Sequence, residues 1–220
     1  MTAPPAARFR HIAVEGAIGA GKTTLATRLA QHLGARLLLE RPEDNPFLEK
    51  FYADRARWAL PTQLAFLCQR IEQAREMSQA GIFEPQVVSD FMFAKDDLFA
   101  RLMLSDDEYR LYRRIGDELS ALAPAPDLVL WLRAPVTTLL ERIARRGRTM
   151  ERGIEAADLD ELDAQYAACF ARQPALAVLE IDVASFDFVA RDGDVAALIE
   201  HVASFDGPRG RFDRAVDGLS

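Results

Sequence analysis

One loop near the start of the chain constrains the fold more than any other stretch. Residues Gly16–Thr23 read GAIGAGKT and match the phosphate-binding pattern G-x-x-x-x-G-K-[ST] at every fixed position. An apolar run, HIAVE, precedes the loop and a helical pattern follows it, which is the strand–loop–helix context that the pattern requires. Because glycines lack a β-carbon, the backbone N–H groups of such a loop can surround a polyphosphate closely. The loop therefore predicts a nucleoside triphosphate site and disfavours the alternative, a glycine-rich turn that binds nothing.

The side chains at the end of the loop predict how the triphosphate is held. The ammonium group of Lys22 is expected at the β- and γ-phosphates, and the hydroxyl of Thr23 is expected at Mg²⁺. The helix that begins near Lys22 adds the positive end of its dipole. We expect ATP and Mg²⁺ as ligands, and the residues predicted to contact them are Gly16, Ala17, Ile18, Gly19, Ala20, Gly21, Lys22, Thr23 and Thr24.

Short apolar runs alternate along the chain with segments of helical periodicity. The predicted strands are His11–Glu15, Arg36–Glu40, Gln86–Ser89, Leu128–Leu132 and Val178–Ile181. The predicted helices are Lys22–Leu33, Ala59–Ala80, Lys95–Leu122, Val136–Arg146 and Asp158–Arg172. The alternation predicts an α/β domain of the P-loop NTPase type, in which a five-stranded parallel sheet lies between two layers of helices. We expect residues 1–205 to form this single domain and residues 206–220 to form a flexible tail.

Composition narrows the class of partner. Half of the residues are hydrophobic and the formal net charge is −7, which does not suit nonspecific binding to nucleic acid. No segment reaches the ~20 apolar residues of a membrane span. The two cysteines, Cys68 and Cys169, fit no metal spacing and are expected to be buried free thiols in a reducing cytoplasm. The predicted helices Ala59–Ala80 and Lys95–Leu122 are longer than a simple crossover between strands requires. Helices of this length either line a substrate cleft or pair with a second subunit. We hypothesise a homodimer that forms through them.

Glu40 and one helix face are candidates for binding the acceptor of the phosphate. Glu40 ends the second apolar run, and the carboxyl ends of parallel strands meet at the edge that carries the loop. A carboxylate there can accept a proton from an attacking hydroxyl, although a solvated loop acid explains Glu40 equally well. Gln63 and Arg70, seven residues apart, project from one helix face with Phe66 and Leu67 between them. Such a face suits a pocket for a nucleobase, and the alternative is that Arg70 reaches solvent.

A cluster of arginines follows the fourth predicted strand. Its members are Arg142, Arg145, Arg146, Arg148 and Arg152. A helix C-terminus accounts for one or two of them, and Gly147 provides a hinge. Since a guanidinium is a fixed fork of donors that can neutralise a phosphoryl group in transfer, the cluster predicts an arginine-rich lid over residues 142–154. The alternative is a solvated basic turn.

In their order and spacing these motifs resemble the deoxynucleoside kinase family, in particular its bacterial deoxyadenosine/deoxyguanosine kinase members. The resemblance covers His11–Phe188 and rests on the glycine loop, Glu40 followed by NPFLEKFY, WALPTQ ending at Gln63, VVSD ending at Asp90, and RRGRTMERGI. It implies ATP-dependent transfer of a phosphoryl group to the 5′-hydroxyl of a deoxyribonucleoside, a small-molecule acceptor.

The resemblance also implies roles for single residues. Glu40 is similar to the general base at the 5′-hydroxyl, and Gln63 to the glutamine that hydrogen-bonds the base edge. Tyr52 and Glu151 are similar to the pair that holds the 3′-hydroxyl. Arg70 and Asp96 match an arginine–aspartate pair that is found in family members accepting purines or deoxycytidine rather than thymidine. The residues similar to the family's catalytic cations at the phosphates are Lys22, Arg142, Arg146 and Arg148.

The chain departs from the family at the end of the third predicted strand. Family members usually have Asp-Arg or Glu-Arg there, whereas this chain has Asp90-Phe91. Asp90 can still contact substrate and orient Mg²⁺ with Thr23, but Phe91 donates no hydrogen bond to the acceptor. Either Lys95 or a lid arginine compensates, or turnover is weak. Two other functions stay open: a nucleoside monophosphate kinase of the thymidylate kinase type, against which the missing arginine counts, and a non-catalytic protein that senses ATP.

Overall fold

The structure, a computed structural model, describes residues 8–78, 86–120, 125–148, 151, 153–184 and 186–213. Within these residues, six strands form one sheet in the order β2-β3-β1-β4-β5-β6, and every neighbouring pair is parallel. The strands are β1 (His11–Gly16), β2 (Arg36–Leu38), β3 (Val87–Ser89), β4 (Leu128–Arg133), β5 (Ala177–Asp182) and β6 (Arg209–Phe212).

Helices connect the strands, as parallel pairing requires. In the described parts of the chain they are α1 (Lys22–Leu33), α2 (Leu48–Ala53), α3 (Arg55–Ser78), α4 (Ala94–Met103), α5 (Asp106–Ser120), α6 (Val136–Arg146), α7 (Ala156–Ala171) and α8 (Asp192–Ser204). None of the helices in these ranges combines the length and the apolar character that crossing a bilayer would take.

Helices α7 and α8 cover opposite faces of the sheet. Through β5, Trp131 of β4 is in register with Arg211 of β6. Successive residues of a strand point to opposite faces, so Phe212 lies on the face opposite to Trp131. The ring of Trp131 is 5.2 Å from that of Phe170 in α7, and the ring of Phe212 is 5.2 Å from that of His201 in α8. The predicted α/β arrangement with a parallel sheet is therefore confirmed.

The prediction of five strands was wrong by one, because β6 adds an edge strand. It lies inside residues 206–220, the stretch that was expected to be a flexible tail, and pairs with β5 over Val178–Ile181. Its sequence, RGRF, carries one large apolar side chain, so no hydrophobic pattern marked it as a strand. Phe212 is 1% exposed and packs against Phe186 and His201. Residues 214–220 lie outside the described part of the chain.

The predicted helix Lys95–Leu122 is two helices, α4 and α5, separated by Leu104 and Ser105. The carboxylate of Glu108 accepts hydrogen bonds from the backbone N–H and the hydroxyl of Ser105, at 3.0 and 2.7 Å. This contact starts a new helix, and the sequence S-D-D-E carries the corresponding capping signal. Residues 79–80 and 121–122, at the ends of two predicted helices, lie outside the described residues. One cysteine prediction was also wrong, since Cys68 is exposed whereas Cys169 is buried.

The carboxyl ends of β1, β2 and β3 bring the candidate residues together. The glycine loop follows β1, Glu40 lies two residues beyond β2, and Asp90 follows β3 directly. Because all three strands run parallel, these ends meet at one edge of the sheet, where ligands bind in open α/β folds.

We predict that Phe212→Ala destabilises the protein by about 3–5 kcal/mol, because it empties a buried aromatic site. The measurement is the free energy of unfolding in urea. Arg211→Ala is the matched control, since Arg211 is exposed on the same strand and its ion pair with Asp182 lies at the surface. Equal stability of Phe212→Ala and the unmodified protein would show that β6 contributes nothing to the folded domain.

Candidate active site

The glycine loop between β1 and α1 is shaped by positive φ angles. They are 146° at Gly16, 86° at Gly19 and 98° at Gly21, values that residues with a β-carbon seldom adopt. A β-carbon on Gly16 would lie 2.5 Å from the carbonyl oxygen of Leu132, and one on Gly21 would lie 2.7 Å from the ring of Phe188. The protein's own packing therefore requires these glycines, in addition to any ligand.

Lys22 folds back over the loop. Its Nζ donates hydrogen bonds to the carbonyl oxygens of Gly16 and Ala17, at 2.9 and 3.1 Å. Burial and, to a smaller extent, the positive charge of Lys95 lower the pKa of Lys22 to about 8. An ammonium group that is bound to neutral carbonyls and faces a second cation is stabilised by an anionic ligand.

The carboxylate of Glu40 lies between two cations. Its Oε1 accepts a hydrogen bond from Nη2 of Arg70, and its Oε2 accepts one from Nζ of Lys95 at 3.1 Å. Burial acts to raise the pKa of Glu40, but the charges of Lys95 and Arg70 outweigh burial and hold the pKa well below its usual value. Glu40 is therefore ionised, and the sequence alternative of a solvated loop acid is wrong.

Arg70 is 1% exposed, so it does not reach solvent. Each of its nitrogens has an acceptor: Nε donates to Asp96 at 3.2 Å, Nη1 to Gln73 at 3.1 Å, and Nη2 to Glu40. The ring of Phe91 lies beneath the guanidinium, 4.2 Å from its carbon. Sequence analysis missed Gln73, although its position three residues after Arg70 on the same helix face was an available signal.

Asp96 and Gln63 supply polar atoms to the pocket beside this network. The Oδ2 atom of Asp96 is buried and accepts no hydrogen bond within the part of the chain that the structure describes. Burial raises the pKa of Asp96, and the charge of Arg70 opposes that effect. The side-chain nitrogen of Gln63, which is also buried, lies 3.3 Å from the sulfur of Met103.

One cavity of about 690 Å³ contains both the loop and the acceptor candidates. The loop residues on its wall are Ile18, Gly19, Gly21, Lys22, Thr23 and Thr24. The other candidates on its wall are Glu40, Tyr52, Gln63, Asp90, Lys95, Asp96, Arg146, Arg148 and Glu151. Arg142 is not on that wall, because its guanidinium donates to the carbonyl oxygens of Ala20 and Val183, at 3.3 and 3.5 Å.

Asp90 connects the loop to Glu40. Its Oδ2 accepts a hydrogen bond from the hydroxyl of Thr23 at 2.6 Å, and its Oδ1 accepts one from the backbone N–H of Glu40 at 2.7 Å. A hydroxyl and a carboxylate are hard oxygen ligands of the kind that Mg²⁺ binds, together with phosphate oxygens and water. Over the described ranges, no three His, Cys, Asp or Glu side chains converge on a metal position. The pair therefore fits a cation that takes most of its ligands from phosphate and water.

The structure describes part of the predicted lid, residues 142–154. Nε and Nη2 of Arg146 donate to one carboxylate oxygen of Glu151, at 3.0 and 2.6 Å, and Arg148 lies 3.7 Å from the other. Burial raises the pKa of Tyr52, and the negative charge of Glu151 adds to the shift. Both side chains lie on the cavity wall. Gly147 ends α6 with a φ of 68°. Residues 149, 150 and 152, including the predicted lid residue Arg152, lie outside the described part of the chain.

Glu15 is a buried carboxylate that sequence analysis did not assign to the site. Its Oε1 accepts the backbone N–H of Met92 at 2.7 Å, and its Oε2 accepts the hydroxyl of Tyr166 at 2.8 Å. Burial raises the pKa of Glu15, whereas the charges of Lys95 and Lys22 lower it. In the sequence, the position of Glu15 at the end of an apolar run was the signal that could have predicted this contact between β1 and α7.

Comparison with known proteins identifies the family. The deoxynucleoside kinase family matches residues 12–205. The chain belongs to the deoxynucleoside kinase family. It is therefore a kinase, and of the three functions left open by the sequence the ATP-dependent phosphorylation of a deoxynucleoside is confirmed.

Relatives of this chain agree with that assignment. The chain is 37% identical over 196 residues to a deoxyguanosine kinase of Bacillus subtilis (strain 168), a match that covers 87% of this chain and 95% of the relative. It is 29% identical over 201 residues to a deoxyadenosine/deoxycytidine kinase of the same organism, with coverage of 88% and 91%. The solved structure of a deoxyadenosine kinase from M. mycoides with bound dCTP superposes with a TM-score of 0.75 at 21% identity. That match covers 89% of this chain and 100% of the solved one, and it shows that the fold is shared.

Proposed function

We propose that the chain transfers the γ-phosphoryl group of ATP to the 5′-hydroxyl of a deoxyribonucleoside and favours purines or deoxycytidine over thymidine. The observation that carries this proposal is the ionised carboxylate of Glu40, which shares one cavity with Lys22 of the loop and with Gln63. An acceptor that reaches from Gln63 to Glu40 would present its hydroxyl to the end of the triphosphate.

Glu40 is the proton acceptor in the proposed reaction. The 5′-oxygen forms a bond to the γ-phosphorus while the bond from that phosphorus to the bridging oxygen breaks, which releases ADP, and the hydroxyl proton passes to Glu40. Each carboxylate oxygen accepts two hydrogen bonds, so the hydroxyl can bind Glu40 without displacing Arg70 or Lys95. The low pKa of Glu40 is compatible with this role, because phosphoryl transfer depends mainly on positioning and charge stabilisation.

Loop and lid residues act on the phosphates. Backbone N–H groups of the glycine loop and the ammonium of Lys22 bind the β- and γ-phosphates. Thr23 and Asp90 would hold Mg²⁺, which when bound neutralises charge on these phosphates. Arg146 and Arg148 are the lid residues on the cavity wall and are the guanidinium groups proposed to contact the transferred group. The position of Arg142 fits a different role, in which it holds the loop through Ala20.

Tyr52 and Glu151 are proposed to hold the 3′-hydroxyl of the sugar, because both lie on the wall of the cavity that contains Glu40 and Gln63. Gln63 is proposed to bind the base edge, and Asp96 to offer its unpaired Oδ2 to a base N–H group. Amino groups are present on adenine, guanine and cytosine but not on thymine, so a buried acceptor favours the first three bases. The names of the two Bacillus subtilis relatives contain deoxyguanosine, deoxyadenosine and deoxycytidine, which supports the same range for this chain.

To test the function, labelled ATP is incubated with the protein and a panel of deoxynucleosides and nucleoside monophosphates. We expect 5′-monophosphates from the deoxynucleosides and no product from the monophosphates. Glu40→Gln keeps the size of the side chain but cannot accept the proton, so we expect turnover to fall about 10²–10⁴-fold while ATP binding stays near normal. Unchanged turnover of Glu40→Gln would contradict its role as the base, and product from monophosphates would contradict the acceptor class.

Selectivity is tested with Arg70→Met combined with Asp96→Ala. Both groups are changed together because Arg70→Met alone would leave the buried carboxylate of Asp96 unpaired, at a cost of about 3–5 kcal/mol. We expect kcat/KM for thymidine relative to deoxyguanosine to rise by about tenfold or more, since the buried acceptor for a base amino group is removed. Glu72→Ala, on the exposed side of the same helix, is the control. An unaltered ratio in the double variant would contradict the base-binding role of the pair.

We also propose that the chain forms a homodimer through its long helices. Leu111 and Ile115, four residues apart on one face of α5, are 47% and 36% exposed. Two large apolar side chains that share an exposed helix face are typical of a contact surface. We expect light scattering at micromolar concentration to give twice the mass of one chain, and Leu111→Lys to lower it. A monomer mass for the unmodified protein would refute the dimer.

A further inference from the structure

Two ammonium groups lie on the wall of the same cavity, and ATP accounts for one of them. Lys22 belongs to the glycine loop, whereas Lys95 is the second residue of α4 and reaches the cavity from beyond β3. The side chain of Lys95 is only 8% exposed. Burying an ammonium group is costly unless partners compensate for the lost water, so the position of Lys95 needs an explanation.

Glu40 satisfies Lys95 only in part. An ammonium group has three N–H donors, and one of them is used by Oε2 of Glu40 at 3.1 Å. Among the residues that the structure describes, this Nζ makes no other hydrogen bond, and the ring of Phe99 is 5.5 Å away. Two donors therefore remain for a ligand in the cavity, directly beside the carboxylate that is proposed to receive the hydroxyl proton.

The other cations near Glu40 are less suited to the same task. Arg70 has an acceptor on each nitrogen and packs on Phe91, which is itself fully buried. Arg146 and Arg148 are 39% and 47% exposed and pair with Glu151. Lys95 is thus the cation that combines burial, free donors and direct contact with Glu40.

We propose that Lys95 is a catalytic residue whose ammonium group contacts both the acceptor 5′-oxygen and an oxygen of the γ-phosphoryl group during transfer. This inference rests on the proposed function of the site. Lys95 keeps its proton throughout and takes no part in bond formation. Its charge stabilises the negative charge that develops on the equatorial oxygens of the transferred group, as fixed cations do in phosphoryl transfer. Phe91 supplies no donor at the end of β3, and Lys95 provides one from the first turn of the next helix.

A purely structural alternative is that Lys95 does no more than neutralise and hold Glu40. The two explanations differ in what happens when Glu40 has already lost its charge. If Lys95 acts only through Glu40, removing Lys95 from a Glu40→Gln background changes nothing further. If Lys95 contacts the reacting group itself, its removal slows the reaction in either background.

The test measures kcat and KM for a deoxynucleoside and ATP in five proteins: unmodified, Lys95→Met, Lys95→Arg, Glu40→Gln and the double variant Glu40→Gln/Lys95→Met. We expect Lys95→Met to lower kcat about 10²–10³-fold with KM for ATP changed less than about threefold. Lys95→Arg should recover at least about a tenth of the lost rate, because it keeps the charge. Lys50→Met is the matched control, since Lys50 is exposed and outside the cavity.

The double variant decides the outcome even if Lys95→Met alone folds poorly, because it removes both members of the buried ion pair. We expect it to be at least about tenfold slower than Glu40→Gln in kcat. Equal kcat values for these two variants, or a change confined to KM, would overturn the proposal. Absence of any activity in the unmodified protein would instead refute the proposed function, so the two failures are distinguishable.

Discussion

The buried ion pairs of Glu40 with Arg70 and Lys95 are the interaction on which the site depends. Each ion comes from a different part of the fold: Glu40 follows β2, Arg70 lies in α3 and Lys95 lies in the first turn of α4. Charges removed from water are tolerated only when they compensate each other, so the three groups fix the relative positions of these elements. Glu40 and Lys95 lie on the cavity wall at the carboxyl ends of the strands, and Arg70 pairs with Glu40 from α3.

The network extends in two directions from Glu40. Towards the triphosphate loop, Asp90 accepts the N–H of Glu40 and the hydroxyl of Thr23, so the loop and the carboxylate are linked through one side chain. Towards the base pocket, Arg70 joins Glu40 to Asp96. The cavity wall therefore carries the glycine loop, Glu40 and Asp96, the groups that the proposed function assigns to the triphosphate, the acceptor hydroxyl and the base.

Parts of this arrangement could be predicted from the sequence because they are local. The glycine loop follows from residue types at fixed spacing, and Glu40 follows from its place at the end of an apolar run. Parts that depend on long-range contacts could not be predicted. Phe212 is a single apolar residue whose burial depends on α8, and the double pairing of Glu40 depends on side chains 30 and 55 positions away. The exposure of Cys68 likewise depends on which face of α3 packs inward.

The departure at Phe91 illustrates the same limit. The resemblance to the family indicates that a donor is missing after Asp90, but it does not distinguish Lys95 from the lid arginines as the substitute. The packing supports the proposal that Lys95 is the substitute, because Phe91 lies beneath Arg70 and Lys95 reaches Glu40. In the proposed mechanism, Lys95, four positions further along the chain, offsets the donor that is missing at Phe91.

The most direct test of the central claim is a crystal structure with a deoxynucleoside, Mg²⁺ and a non-hydrolysable ATP analogue bound together. The account predicts the 5′-oxygen within about 2.6–3.2 Å of a carboxylate oxygen of Glu40, on the side that faces the γ-phosphate, with the base at Gln63. A nucleoside bound in a different cavity, or a 5′-oxygen beyond hydrogen-bond reach of Glu40 in the ternary complex, would contradict it.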